Sequence, residues 1–294
     1  MQKKNILVTG CNGQLGSEIR LLANNAIPGF NFLFENHISL DVINTPLLAR
    51  YFDEHPIDYC INCAAYTSVD KAESEPDKAF LINSTAPGKL ARICESKGTF
   101  FIHFSTDFVF DGNHSIPYKE NDTPNPISIY GKTKENGEQE VIKAGGNFLI
   151  IRTSWVYSSF GLNFIKTILR LAREKKEIGV VYDQTGCLTY ASDLGKAVVK
   201  IVQSIDKNPE LSKNRTGIYH YSNEGITSWY DVAHEVVKKS GLKCKVNPIE
   251  THQYPTPAKR PAYSVLNKSK IKDTFGIQIP HWEESLDVCL KILV

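Results

Sequence analysis

A tyrosine and a lysine lie four residues apart in segment 130–134, where Tyr130 opens the segment and Lys134 closes it. Residues at this spacing share one face of a helix, so the ammonium of Lys134 can lie beside the phenol of Tyr130. An unperturbed tyrosine has a pKa of about 10, and a nearby fixed cation lowers that pKa because it favours the phenolate. The pair therefore predicts a general acid that delivers a proton near neutral pH.

A hydroxyl at the end of a hydrophobic run could complete this chemistry. Thr106 follows the apolar stretch 99–104 and precedes Asp107, and its hydroxyl can hydrogen-bond a substrate carbonyl. Tyrosine and lysine at this spacing are common, however, and the alternative is an exposed helix start with solvated lysines. The residues near the N-terminus of the chain distinguish the two interpretations.

Glycines follow the first predicted strand in the order that a dinucleotide-binding turn requires. The apolar segment 5–9 is followed by Gly10, Gly13 and Gly16, and a helix is predicted from residue 15 to Ala26. Glycine lets the backbone turn sharply and approach a pyrophosphate, while the helix N-terminus presents unpaired N–H groups to the anion. The sequence therefore predicts that the loop binds the pyrophosphate of NADH or NADPH, through Gly10, Asn12, Gly13, Gln14, Leu15 and Gly16.

Two later strand ends extend this predicted cofactor site. Glu35 ends the second strand, where an acidic residue bonds the adenosine ribose and would favour NAD over NADP. The third strand ends in small residues, which leave room for adenine and ribose at that edge of a parallel sheet. The further cofactor-binding candidates are Asp41, Val42, Ala64, Ala65, Tyr66, Thr67, Tyr130 and Lys134.

Composition excludes several other classes of protein. The 294 residues carry a formal net charge of +2, and the lysines are spread along the chain, which indicates no nucleic-acid or membrane surface. We find no apolar run of about 20 residues and no signal peptide, and the seven scattered cysteines are typical of a reducing compartment. We therefore expect a cytoplasmic protein.

Strands alternate with helices over the first half of the chain, which predicts an α/β fold with a doubly wound parallel (Rossmann) sheet. The pattern becomes irregular after Trp155. We therefore expect a dinucleotide-binding domain at 1–155 and a smaller, interleaved C-terminal substrate lobe at 156–294. Later segments such as 190–221 are expected to return to the first domain.

Together these motifs resemble the extended short-chain dehydrogenase/reductase family, over residues from about 5 to about 285. The likeness is closest to the branch that reduces a dTDP-linked 4-keto sugar in dTDP-L-rhamnose synthesis. The most specific segments are S-T-D-F-V-F at 105–110 and R-T-S-W-V-Y at 152–157. The other matching segments are 10–16, 62–73, 130–134, 163–164, 183–186 and 254–261.

The resemblance implies hydride transfer from NADPH or NADH to C4 of the sugar, with catalytic residues Tyr130, Lys134 and Thr106. Tyr130 would protonate the developing alkoxide, and Lys134 would lower its pKa and hold the nicotinamide ribose. A small-molecule nucleotide sugar is thus the expected partner, and a homodimer is left open. The implied substrate-binding residues are Thr106, Asp107, Trp155, Asn163 and Arg260.

The sequence departs from the family pattern at two positions that bear on metal binding and on the residue after Asp107. Glu18 matches one position at which some members bind magnesium, but Ser192 stands where a second ligand would be, so we expect no metal. Phe108 replaces a tyrosine that often follows the aspartate, and it also stands where dehydratases carry glutamate. Another sugar-nucleotide reductase or epimerase, or a non-catalytic NAD(P)-binding regulatory subunit, remain the alternatives.

Overall fold

The computed structural model describes residues 3–25, 27–208, 210 and 214–294. Its strands are β1 (Lys4–Thr9), β2 (Phe30–Phe34), β3 (Tyr59–Asn62), β4 (Phe100–Thr106), β5 (Phe148–Thr153), β6 (Val156–Tyr157), β7 (Glu177–Val181), β8 (Thr185–Gly186), β9 (Thr189–Tyr190), β10 (Gly217–His220), β11 (Thr227–Ser228) and β12 (Lys245–Ile249). Its α-helices are α1 (Gln14–Ala23), α2 (Thr45–Glu54), α3 (Val69–Ala72), α4 (Pro76–Phe80), α5 (Ala86–Lys97), α6 (Ile129–Ala144), α7 (Phe164–Glu174), α8 (Ala191–Lys207), α9 (Trp229–Lys239), α10 (Ser269–Phe275) and α11 (Trp282–Leu293). The predicted end of the first helix, Ala26, lies outside the described residues.

Six parallel strands form the central sheet in the order β10-β5-β4-β3-β1-β2, which confirms the predicted doubly wound α/β fold. Strand β1 has β2 on one side and β3 on the other. The connections that leave β1 and β3 therefore diverge at their carboxyl ends. A ligand crevice is expected at such a switch point.

Both faces of the sheet are buried, which explains the nearly continuous apolar runs in its strands. Alternate residues of a strand point to opposite faces, so Ile6 packs towards α1 and α8 while Leu7 packs towards α2 and α5. On the first face, Ile19 and Val198 meet the strand residues, and Leu90 does so on the second. The helices thereby fix the strand ends on which the candidate site residues lie.

The second half of the chain builds its own apolar cluster and also completes the sheet. Strands β7 and β12 pair in parallel, and α7, α9 and α11 pack around them through residues such as Ile168, Val236 and Leu286. Strand β10, by contrast, pairs with β5, and α8 packs on the core of the first sheet. The boundary of the two domains at residue 155 stays a prediction. In the described part of the chain, no helix is both long and apolar enough to span a membrane.

Candidate active site

The helix that carries Tyr130 and Lys134 has a well-defined start. Ser128 is the N-cap of α6, and its Oγ accepts a hydrogen bond from the backbone N–H of Gly131 at 3.1 Å. A second acceptor comes from a distant segment, because Glu73 Oε1 accepts from the N–H of Ile129 at 2.8 Å. These two caps place Tyr130 in the first turn of the helix.

Tyr130 packs closely against the loop that follows β4. The Phe108 ring meets the Tyr130 ring edge-on, with 5.6 Å between centroids. A Cβ on Gly131 would lie 2.2 Å from the Phe108 carbonyl oxygen, so only glycine permits this approach of α6 to the loop. The Tyr130 phenol is thereby brought to the end of β4, where Thr106 lies.

The pKa of Tyr130 shifts in the direction opposite to the sequence-based expectation. Burial raises the pKa of Tyr130 to about 12, while a hydrogen bond with the Thr106 hydroxyl acts to lower it. Lys134 was expected to lower this pKa, but its amine donates instead to the carbonyl of Phe104 at 2.6 Å. The phenol is therefore fully protonated at neutral pH in this structure, as a proton donor must be.

Lys134 lies one helical turn after Tyr130 in α6 and is almost completely buried. Burial lowers the pKa of Lys134 to about 8, and the negative charge of Glu138 opposes that shift. The ammonium is consequently present at neutral pH and close to its titration. Such a group responds strongly to any nearby change in charge.

A buried carboxyl group adjoins the same hydroxyl. Thr106 Oγ1 donates to Asp107 Oδ1 at 3.1 Å, and Asp107 is only 1% exposed. Burial raises the pKa of Asp107 to about 6. Side-chain hydrogen bonds from Ser264 and Thr106 act to lower that pKa, while the Oδ2 atom has no close hydrogen-bond partner among the described residues.

Trp155, two residues after β5, has an unusual backbone conformation. Its φ is +47°, and among the described residues it alone combines a side chain with positive φ. The indole stacks on Trp229 with ring centroids 3.8 Å apart, and a Cβ on Gly186 would come within 2.8 Å of it. Strain of this kind is kept where the surroundings hold it, which is common at functional sites.

A cavity of about 410 Å³ lies at the switch point of the sheet. Seven of the predicted cofactor-binding residues line it, together with six that the sequence interpretation missed: Asn36, His37, Leu40, Ile43, Cys63 and Ile82. The predicted residues in its lining are Gly10, Asn12, Gly13, Asp41, Val42, Ala64 and Ala65. The cavity thus joins the turns after β1 and β3 with the segment after β2.

The glycine loop also makes close contacts around the cavity. Gly10 has φ +63°, and a Cβ there would lie 2.5 Å from the backbone nitrogen of Ala64. Leu15 packs on the core, and Gly16 lets α1 approach Cys11 closely. Gln14 bonds to the later part of the chain through its side-chain amide.

Several other predicted residues have side chains that are already engaged. Glu35 accepts a hydrogen bond from the Tyr51 hydroxyl at 2.9 Å and does not line the cavity, and neither do Tyr66 and Thr67. Asn163 caps α7 through Lys166 N–H and donates to Gln14 Oε1 at 3.0 Å. Asn163 therefore joins the glycine loop to the second half of the chain.

Sequence reasoning also missed Asn83, which lies in a π-helical turn at Leu81–Thr85. Its side chain accepts from Tyr66 N–H at 2.8 Å and donates to Thr133 Oγ1 at 3.1 Å. A Cβ on Gly137 would lie 2.1 Å from the Asn83 carbonyl oxygen, so the turn fits tightly against α6. No local pattern in the sequence marked this residue, because its partners Tyr66 and Thr133 are distant in the chain.

Arg260 lies on the rim of a second cavity of about 270 Å³, next to α7 and β7. Aromatic side chains form much of the wall, and polar groups lie at the rim. The aromatic residues are Phe164, Trp229 and Tyr254, and the polar ones include Gln184, Thr256 and Arg260. Trp229, in the wall of this cavity, stacks on Trp155.

Comparison with known proteins agrees with this architecture. The family model described as "RmlD substrate binding domain" matches residues 4–294. A dTDP-4-dehydrorhamnose reductase from Sinorhizobium fredii is 41% identical over 284 residues, covering 95% of this chain and 94% of that protein.

Two solved structures are similar over almost the full length. A dTDP-4-dehydrorhamnose reductase from Clostridium acetobutylicum has a TM-score of 0.92 and 38% identity, covering 98% of this chain and 99% of that one. The enzyme from Bacillus anthracis, solved in complex with NADP, has a TM-score of 0.91 and 34% identity, and the match covers 99% of each chain.

Proposed function

Since the chain belongs to the RmlD substrate binding domain family, we propose that it reduces dTDP-4-dehydro-L-rhamnose to dTDP-L-rhamnose with NADPH or NADH. This agrees with the branch of short-chain dehydrogenases that the sequence motifs indicated. The observation that supports the proposal best is the contact of the Thr106 hydroxyl with both Asp107 and Tyr130, at the end of the strand whose Phe104 carbonyl accepts from Lys134.

The residues at the switch point fit a dinucleotide. Gly13 is the N-cap of α1, so the first N–H groups of this helix face the cavity and suit a pyrophosphate. A Cβ on Gly10 would collide with Ala64, which shows how closely the two turns approach. A reduced nicotinamide, when bound there, supplies the hydride that reaches C4 of the sugar.

Tyr130 serves as the proton donor in this reaction. As the C4 carbonyl becomes an alkoxide, the Tyr130 hydroxyl passes its proton to that oxygen. The Thr106 hydroxyl holds the same oxygen. Lys134, one helical turn further along α6, would hold the nicotinamide ribose, as the resemblance implies. Asp107 offers its unpartnered Oδ2 to a hydroxyl of the sugar.

The cavity beside Arg260 suits the nucleotide part of the substrate. Its aromatic wall can stack on a planar base, and a guanidinium matches the geometry of a diphosphate. Trp155 stacks on Trp229 in the wall of this cavity, and we expect its indole to contact the sugar. Asn163 supports the glycine loop in the same proposal.

The choice between NADH and NADPH depends on the segment after β2. Glu35 would repel a 2′-phosphate, although its carboxylate is held by Tyr51 rather than directed into the cavity. Measuring both cofactors in one assay tests this residue, and a strong preference for NADPH would count against its predicted role.

We further propose a cytoplasmic enzyme that acts on a small molecule and needs neither nucleic acid nor a membrane. The near-neutral charge and the seven free cysteines support this location. Light scattering of the purified chain distinguishes a monomer from a homodimer.

The decisive experiment is oxidation of NADPH and NADH by the purified protein, with dTDP-4-dehydro-L-rhamnose generated in situ and the product identified by NMR. Formation of dTDP-L-rhamnose supports the proposal. A folded protein that binds the cofactor but leaves this sugar unreduced contradicts it. Other nucleotide-linked keto sugars would then be tested, and their failure would favour a non-catalytic regulatory subunit.

A further inference from the structure

Helix α3 and the residue after it place two carboxylates one turn apart, Asp70 and Glu73. Asp70 reaches across to the loop near Arg260 in the second half of the chain. Its Oδ1 accepts from Arg260 Nη1 at 3.1 Å and from the Ala258 N–H at 3.2 Å, and its Oδ2 accepts from Arg260 Nη2 at 2.8 Å. The guanidinium and the carboxylate therefore form a bidentate pair.

This pair is partly exposed and lies beside the second cavity, the one that Arg260 lines, rather than in the core. The side chain of Arg260 is 24% exposed and that of Asp70 40% exposed. The Arg260 guanidinium holds the pKa of Asp70 below its usual value. An ion pair with this exposure contributes little to stability, so its main physical effect is to fix the direction of the guanidinium.

Arg260 has further partners that leave part of the guanidinium available. Nη1 donates to Thr256 Oγ1, to the Ala258 carbonyl and to Asp70, whereas Nη2 donates only to Asp70 among the described residues. The remaining N–H groups can meet a phosphate oxygen while Asp70 keeps the fork in place. Asp70 thus fixes the orientation of the Arg260 guanidinium, which lines the cavity.

The second carboxylate of the segment holds the catalytic helix. Glu73 Oε1 accepts from the N–H of Ile129, the residue directly before Tyr130. A carboxylate at a helix N-terminus is also favourable because it opposes the positive end of the helix dipole. Glu73 therefore fixes the first turn of α6, in which the proton donor lies.

We infer that segment 70–73 positions two groups of the active site, the guanidinium of Arg260 and the proton donor Tyr130. Asp70 orients Arg260 for the diphosphate of the nucleotide sugar, and Glu73 orients Tyr130 for the keto group. Both are positioning residues that act through another side chain or helix. The inference rests on the proposed function, and it predicts that Asp70 affects the dissociation constant of the nucleotide whereas Glu73 affects kcat.

The test of Asp70 measures ligand affinity and needs no turnover. In Asp70→Ala, the dissociation constant for dTDP, measured by calorimetry, is expected to rise about tenfold because the guanidinium loses its support. The dissociation constant for NADPH should stay within about twofold, since the cofactor cavity lies elsewhere. An unchanged dTDP affinity would refute this role of Asp70.

The test of Glu73 measures turnover and uses a conservative variant. In Glu73→Ala, kcat with saturating sugar is expected to fall about tenfold because a small displacement of the proton donor is costly. Glu73→Gln keeps an oxygen acceptor for the Ile129 N–H and should restore most of that loss. Equal losses in the two variants, or a kcat unchanged in Glu73→Ala, would overturn the inference.

Matched controls separate positioning from folding and from the proposed function itself. Asp77→Asn changes another carboxylate nearby, in α4, where the side chain is exposed, and it should leave both quantities unchanged. Circular dichroism and thermal melting show whether each variant is folded, and Asp70→Asn replaces Asp70→Ala if the latter is not. If the wild-type protein binds dTDP and NADPH but reduces no keto sugar, the proposed function fails while the affinity test of Asp70 remains decisive.

Discussion

Tyr130, Thr106 and Asp107 form a small polar cluster in which burial is the dominant electrostatic influence. Burial raises the pKa of the phenol to about 12 and that of the carboxyl group to about 6. Hydrogen bonds through Thr106 join the two groups. Both residues therefore favour their protonated forms more than free side chains do.

Replacing Tyr130 with Phe removes the proton donor and leaves the ring contact with Phe108. Turnover should fall by roughly 10²-fold or more, because general acid catalysis contributes on that order. Cofactor affinity, measured by quenching of protein fluorescence, should persist. A variant with nearly normal turnover would remove Tyr130 from the mechanism.

Asp107→Asn tests how much ionisation of the buried carboxyl group lowers the free energy of unfolding. The raised pKa means that the folded state holds the proton more tightly than the unfolded chain, whose aspartate titrates near pH 4. The wild-type protein therefore loses stability as the pH rises from about 4 through about 6.

At about pH 8 the asparagine variant should be more stable by on the order of 1–3 kcal/mol, and at about pH 4 this advantage should vanish. Urea unfolding at the two pH values measures the difference. A stability gain that does not depend on pH would show that ionisation of Asp107 is not its cause.

At the level of the elements, the turn between β1 and α1 joins the sheet to the candidate cofactor site. Gly13 is the N-cap of α1, and a Cβ there would lie 3.2 Å from the Gly10 carbonyl oxygen. A Cβ at this position would therefore be in tight contact with the turn itself.

Gly13→Val should weaken the binding of NADPH and NADH about 100-fold, because a branched side chain would occupy the place of the pyrophosphate. Gly13→Ala provides a graded comparison with a smaller effect. Affinity is measured by fluorescence titration, and thermal melting reports on folding. Unchanged cofactor affinity in the valine variant would contradict the role of this turn.

In the molecule as a whole, a buried asparagine ties the carboxyl edge of the sheet to the C-terminal part. Asn223 follows β10 and is fully buried. Its Nδ2 donates to Asp193 Oδ2 at 3.0 Å and to Ser285 Oγ at 2.8 Å, and its Oδ1 accepts from the Tyr190 N–H at 2.7 Å. One side chain therefore connects α8 and α11 with the end of the sheet.

Asn223→Ala leaves several buried polar groups without their partner. The free energy of unfolding should fall by about 2–3 kcal/mol, since each such group retains its desolvation cost. Urea unfolding at neutral pH measures this loss, and Asn121→Ala, at an exposed position, should change stability by no more than about 0.5 kcal/mol. A loss as small as that of the control would show that Asn223 does not hold the parts together.

The sequence by itself determined the fold class, the family and the segments that meet at the site. Apolar periodicity and the order of strand, glycine turn and helix are local properties, so they can be read without knowing distant contacts. The segments 105–110 and 130–134 identified the residues now found together at the end of β4. The predicted family is confirmed by the family model and the relatives.

Only the tertiary structure decided how individual side chains are engaged. Glu35 is held by Tyr51 and Arg260 by Asp70, and the latter pair is 190 positions apart in the chain. The direction of the pKa shift of Tyr130 likewise depended on burial that no spacing reveals. The hydrogen-bond partners of a side chain and the burial that shifts its pKa both depend on which remote segments pack together. A local pattern in the sequence does not contain that information.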